Sequence, residues 1–386
     1  MKRIQSIDVV RGIVMVIMAL DHTRDILHVS SITNSPTDLQ TTTPTLFLTR
    51  WITHFCAPSF VFLSGASAFL SSRRTNDVAS ARRFLLTRGI WLVILEFTVV
   101  NFGVWFDPHF ATFLFDVIAT IGTGFIVLSL LLRASTKTIL VLGIGIIFLH
   151  NLSTYIPVGD ASLMKRIGMM LVLPGAIPLG QGVLFVMGYP PLPWLGIMLV
   201  GFASGQLFTY PVKKRQAIFA RVGIAALLLF LVVRGINMYG DSLPWTVQKN
   251  EVFTVLSFIN VTKYPPSLAF CLLTLGVMFL LLSIFESVHN KFVEVTSVYG
   301  KVPLFYFLVH WYIIHPLMFL IVFLQGYHAS DLVFGFNLGR PKGPSGVSLL
   351  LTYVIWIGVV ILLYPLCKWY GRYKETHREK KWLRYL

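Results

Sequence analysis

Charge is scarce in this chain. Only 12% of its 386 residues are Asp, Glu, Lys or Arg, about half the share usual in soluble domains. The acidic side is the thinner one, with 16 Asp and Glu against 32 Lys and Arg. Together with 55% hydrophobic residues and a mean hydropathy of +0.74, this excludes a soluble globular domain and indicates a polytopic membrane protein. Cysteine is scarce too. Cys56, Cys271 and Cys367 lie in apolar segments without metal-site spacing, and an odd number argues against a disulfide framework. The chain lacks a phosphate-cradling Gly-x-x-x-x-Gly-Lys loop, a His-Glu-x-x-His metal motif and a Gly-x-Ser-x-Gly elbow. It also lacks a basic and aromatic module for nucleic acid, so the net charge of +16 needs another explanation. No small-residue cleavage site follows the first apolar run, which therefore reads as a retained helix and not a signal peptide.

What is present is a series of apolar runs, at 7–27, 46–70, 84–106, 110–132, 138–156, 190–209, 217–238, 266–286, 303–324 and 346–367. They predict an all-α membrane protein of about ten transmembrane helices. With the N-terminus inside, 23 of the 32 basic residues fall on the cytoplasmic side, which accounts for the net charge and predicts that both termini are cytoplasmic. The stretch 168–189 is apolar but broken by Pro174, Gly175, Pro178, Gly180 and Gly182. A full crossing there would turn the basic tail outward, so a re-entrant or interfacial segment is expected. Longer outer loops are expected at 28–45, 157–189, 239–265 and 325–345. No repeat or linker divides the chain, and 1–386 reads as one membrane domain.

Ionisable groups inside such helices usually face a protein-lined cavity. At about 100° per residue, Asp8, Arg11, Met15, Met18, His22 and Asp25 share one stripe of the first helix. The rise from Arg11 to His22 is about 16 Å. A long ligand can lie along it, with charge held at one end and chemistry done at the other. His22 is the candidate catalytic group, as a base or an acyl carrier. Asp25, one turn on, is the candidate to orient it, and Asp21 the substitute if the helix unwinds there. Arg11 suits a phosphate or carboxylate at the inner mouth; the alternative is an Asp8–Arg11 pair that snorkels to the interface. Arg50 and His54, one turn apart near the outer side, are candidates for holding substrate or for anchoring a helix end. Glu96, Asp116, Arg234, His310 and His315 indicate a polar interior, which suits a transporter of a small anionic or glycan-linked solute as well as an enzyme. Lys263 is an outer-face cation at the entry to the eighth helix.

The segment Ser6–Ile13, Ser-Ile-Asp-Val-Val-Arg-Gly-Ile, followed by a membrane helix, resembles the opening of the heparan-alpha-glucosaminide N-acetyltransferase family and its bacterial relatives. Arg11, ten intervening residues and His22 also resemble the Arg-x(10)-His pattern of the acyltransferase-3 membrane proteins. Asn260–Ser267, Val302–Tyr306 and Trp369–Gly371 extend the similarity. The resemblance implies transfer of an acetyl group from cytoplasmic acetyl-CoA to a sugar amine or hydroxyl across a bacterial inner membrane. No metal is expected, the partners are the lipid bilayer, acyl-CoA and the acceptor glycan, and a homodimer is a candidate assembly. Arg11, with Asp8 and Arg88, would hold the CoA. Arg50, His54, Arg234, Lys263 and His310 would face the acceptor. The lysosomal enzyme has asparagine near the position of His22 and its catalytic histidine further on, where His28 is nearest here. His22 and His28 compete for the role, and His22 is preferred.

Overall fold

The computed structural model describes residues 3–75, 77–155 and 163–384. Lys2 and the first part of the outer loop expected at 157–189 lie outside them. Each of the ten apolar runs holds a helix. These are α1 (Gln5–Leu27), α2 (Pro44–Ser72), α3 (Val78–Trp105), α4 (Val117–Leu131), α5 (Thr136–Ser153), α6 (Pro191–Thr209), α7 (Val212–Ile236), α8 (Leu268–Ile284), α9 (Pro303–Leu324) and α10 (Leu349–Thr376). Among the described residues, seven are long and apolar enough to cross a membrane: α2, α3, α5, α6, α7, α9 and α10. α4 and α8 are shorter apolar helices. α1 is set apart by its charges, Asp8, Arg11, Asp21, Arg24 and Asp25.

Local chemistry explains several boundaries. Asp77 starts α3 by accepting from the amides of Ala79 and Ser80 at 3.0 and 2.9 Å. The Ser80 hydroxyl and these amides hold the Asp77 carboxyl below its usual range. α2 tightens into a 3-10 turn at Ile52–Phe55, and α3 loosens into a π turn at Glu96–Val100. The fourth apolar run starts as helix later than expected. Asp107 accepts from the amides of His109 and Ala111 and turns the chain, so that Thr112–Phe115 forms strand β1. Glu96 then accepts from the Ala119 amide at 2.7 Å, one of the orphan donors of the α4 N-terminus.

The all-α expectation needs a correction here. Residues 168–189 carry a hairpin, β2 (Gly175–Gly180) and β3 (Val183–Met187), and the sheet order is β1-β3-β2. β1 runs parallel to β3, with Thr112 opposite Leu184 and Phe115 opposite Met187. The glycines and prolines that read as breaks in a membrane segment are hairpin residues: Gly180 and Gly182 take φ of 92° and 78° at the turn.

α1 sits at the centre. It packs against α2, α8, α9, α10 and the short helix Lys291–Gly300. That last contact is backbone on backbone, because a Cβ on Gly12 would overlap the carbonyl oxygen of Thr296 and one on Gly300 would overlap that of Asp8. Gly300→Ala is therefore expected to destabilise the protein by roughly 1–3 kcal/mol through overpacking. Gly358→Ala, with nothing within 4 Å of the new Cβ, is the control. Thermal unfolding in detergent should show a clear fall for the first variant only; equal melting temperatures would mean that this contact is not tight.

Candidate active site: a histidine pair near a basic cavity

A cavity of about 320 Å³ opens between α1, α2, α3, α4, α9 and the end of α10. Arg11, Arg88, Lys301 and Lys374 line it. Lys301 is exposed, so these cations mark its open side. One wall is the serine row Ser64, Ser67 and Ser71 of α2, and the rest is apolar, including Met15 and Phe307. Arg11 donates to the Leu63 carbonyl at 2.9 Å and to the Ser67 hydroxyl, which fixes its guanidinium at the wall. The arrangement joins a polar, cationic mouth to an apolar interior.

The stripe on α1 continues from Arg11 and Met15 through the buried Met18 to His22. Phe307 lines the cavity and also meets the His22 ring edge-on, with centroids 6.3 Å apart. His22 stacks on Trp311 at 4.1 Å and 20°. Its Nδ1 lies 2.6 Å from Nε2 of His310, a histidine with 0% exposure. Nδ1 of His310 in turn faces the Tyr306 carbonyl at 3.2 Å. His22 as a residue is half-buried.

Beside this pair lies a charge cluster. Arg24, 2% exposed, spans Asp21 at 2.8 Å and Asp25 at 2.6 Å. Arg50 reaches Asp21 at 3.4 Å and donates to the Thr53 hydroxyl at 2.6 Å. Lys263 lies over the rings of Tyr264 and Tyr189, at 4.9 and 5.6 Å, close enough to act electrostatically on Asp21 and His22. His54 is buried beside them, its Nδ1 3.3 Å from the Arg50 carbonyl and its ring against Phe270. Arg50, His54 and Lys263 are thus gathered near His22.

Other candidates fall elsewhere. Asp25, expected to orient His22, pairs with Arg24 and its side chain is 46% exposed, while Nδ1 of His22 meets His310. His310 faces His22. Asp8 is held by Arg3 at 3.1 Å, away from the cavity wall. His28 lies in the loop beyond α1, where its ring meets the Ser30 hydroxyl and Arg340 donates to its carbonyl at 2.8 Å. Burial, with Arg24 and Arg340 close by, holds the His28 imidazole below its ordinary range. Arg234 donates to the carbonyls of Phe258, Leu243, Ser257 and Asn260 at 2.8–3.0 Å, which makes it the staple of the loop that carries Lys263. His315 points to the Leu338 carbonyl and stacks on Phe106, apart from His310. Among the described residues no group of three or more His, Cys, Asp or Glu is placed to hold a metal ion.

The family model described as heparan-alpha-glucosaminide N-acetyltransferase, catalytic, matches residues 3–239. The chain belongs to this family. It is therefore a member of a membrane acetyltransferase family whose enzymes use acetyl-CoA as donor. No curated relative matches the chain. The matched region holds His22, Arg11, Arg88 and the serine row; His310, Trp311, Lys301 and Lys374 lie beyond it. Those four were not assigned these places from the sequence. His310 was expected to face the acceptor, and the two lysines read only as cytoplasmic charges.

Replacing Arg234 by Met should remove the donor shared by four carbonyls and the cation beside the buried Asp241. We expect a loss of about 3 kcal/mol or more in unfolding free energy, with acetyl-CoA affinity of the folded fraction near that of wild type. A variant of wild-type stability that has lost acceptor turnover would instead return Arg234 to the substrate site.

Proposed function

We propose that the protein transfers an acetyl group from acetyl-CoA, bound from the cytoplasmic side, to an amine or hydroxyl acceptor at the far end of α1. The observation that carries this reading is the cavity beside α1: four cations, a serine row and apolar side chains line it, and one of its lining residues, Phe307, also meets the edge of the His22 ring. The residues suit the donor's chemistry. Arg11, Arg88, Lys301 and Lys374 would hold its phosphates. Ser64, Ser67 and Ser71 offer hydroxyls to the amides of its pantetheine arm, and Met15 and Phe307 offer apolar contact. Basic residues on the cytoplasmic side support placing the mouth there.

In this reading His22 acts as general base. It takes a proton from the acceptor nitrogen or oxygen as that atom forms its bond to the acetyl carbonyl carbon. The C–S bond then breaks, and the protonated imidazole returns its proton to the departing thiolate, so the cycle closes with free CoA and acetylated acceptor. Asp21 lies near enough to stabilise the imidazolium. Lys263, Arg50 and the Tyr189–Tyr264 pair are proposed to face the acceptor, which fits a polar sugar-like group.

Calorimetry on the purified protein in detergent tests the donor half. Saturable acetyl-CoA binding is expected, weakened about tenfold or more by Arg88→Ala with Lys301→Ala, while acetyl-pantetheine, which lacks the nucleotide phosphates, should not respond to the two substitutions. No binding by a folded sample would overturn the assignment. His22→Ala should bind acetyl-CoA normally yet lose about 10²- to 10⁴-fold in acetyl transfer. Full transfer by that variant would remove His22 from the chemistry.

A further inference from the structure

We propose that His310 is a positioning residue that sets which nitrogen of His22 is free to act as base. The inference rests on the reading of His22 as that base. The hydrogen-bond chain runs from His22 Nδ1 to His310 Nε2 at 2.6 Å and from His310 Nδ1 to the Tyr306 carbonyl at 3.2 Å. A carbonyl oxygen only accepts, so Nδ1 of His310 must carry the proton. His310 has 0% exposure and its two ring nitrogens face only a carbonyl and another histidine, so a charged form would be buried without a counter-ion. In the neutral ring Nε2 is then bare and accepts. Nδ1 of His22 must donate to it, which leaves Nε2 of His22 as the lone pair available to an acceptor.

The opposite assignment is self-defeating. With the proton on Nε2 of His310, its bare Nδ1 would oppose the lone pairs of the Tyr306 oxygen, and His22 would present an N–H where a base is needed. Stacking on Trp311 fixes the plane of the His22 ring, so the bond to His310 sets the remaining choice. When His22 takes a proton at Nε2, its Nδ1–H still points at His310; transfer to Nε2 of His310 would make a buried cation without a counter-ion, and the Tyr306 carbonyl cannot take the proton from its far side. His310 thus orients and does not relay. The charged and titratable groups around the pair are Asp21, Arg24 and Asp25 on α1, Arg50 and His54 on α2, and Lys263 before α8. Asp21 is bound to two arginines, so the ring of His310 and not a carboxylate meets Nδ1.

The test combines nitrogen-15 NMR of histidine-labelled full-length protein with kinetics, using His310→Gln and His310→Leu. The His22 signals are assigned by their loss in His22→Gln. At neutral pH the wild type and His310→Gln should show His22 protonated at Nδ1 and bare at Nε2, because the Gln carbonyl can accept in place of Nε2. His310→Gln should keep kcat within about tenfold of wild type. His310→Leu should lose this tautomer preference and about 10²- to 10⁴-fold in kcat, with KM for acetyl-CoA little changed. A His22 protonated at Nε2 in the wild type would overturn the inference, as would wild-type kcat in His310→Leu. If His22→Ala remains fully active, the reading of His22 as base fails on its own, whatever tautomer the spectra show.

Discussion

Everything in this structure is organised by the burial of α1. A helix with five charged residues and a histidine lies in the middle of an apolar bundle, and ionised groups placed there without partners are prohibitively unfavourable. The fold meets this constraint in three ways. Asp8 is paired with Arg3 at one end. Arg11 is turned into a cavity and tied to the wall of α2. Asp21, Arg24 and Asp25 are neutralised as a network completed by Arg50. His22 stands outside these ion pairs, and a second histidine meets its ring.

The same constraint separates two kinds of arginine. Arg234 is as buried as Arg24, yet its donors are spent on backbone carbonyls of one loop. Arg340 does the same for the loop after α9, reaching the His28 carbonyl and Ser345. These residues shape the surfaces around Lys263 and His28. Arg11 and Arg88 line the cavity instead, Arg11 while bonded to the wall of α2. A buried cation in a membrane protein is therefore informative only once its donors have been followed to their acceptors.

The ten helices were legible in the sequence because apolar length is a local property, and the stripe from Arg11 to His22 because ionisable groups stand out against leucine and isoleucine. The hairpin at 175–187 was not. Its second strand pairs with Thr112–Phe115, Leu184 lying opposite Thr112 from far along the chain, and Pro178 and Gly180 look the same in a broken membrane segment and in a turn. Asp25 was the reasonable guess for the group orienting His22, since it is one turn along the helix. His310 takes that place from 288 residues away, where no spacing rule reaches. Lys301 and Lys374 read only as topology charges, because their entry into the cavity depends on how α9 and α10 pack beside α1.

The proposed division of labour puts donor phosphates at one end of α1 and proton transfer at the other, about 16 Å apart along the axis. The most direct measurement is a structure of the full chain with acetyl-CoA bound. The expected result is nucleotide phosphates among Arg11, Arg88, Lys301 and Lys374, the pantetheine arm along the serine row, and the thioester beside His22. Donor bound with its phosphates outside this cavity, or with its thioester remote from His22, would contradict it.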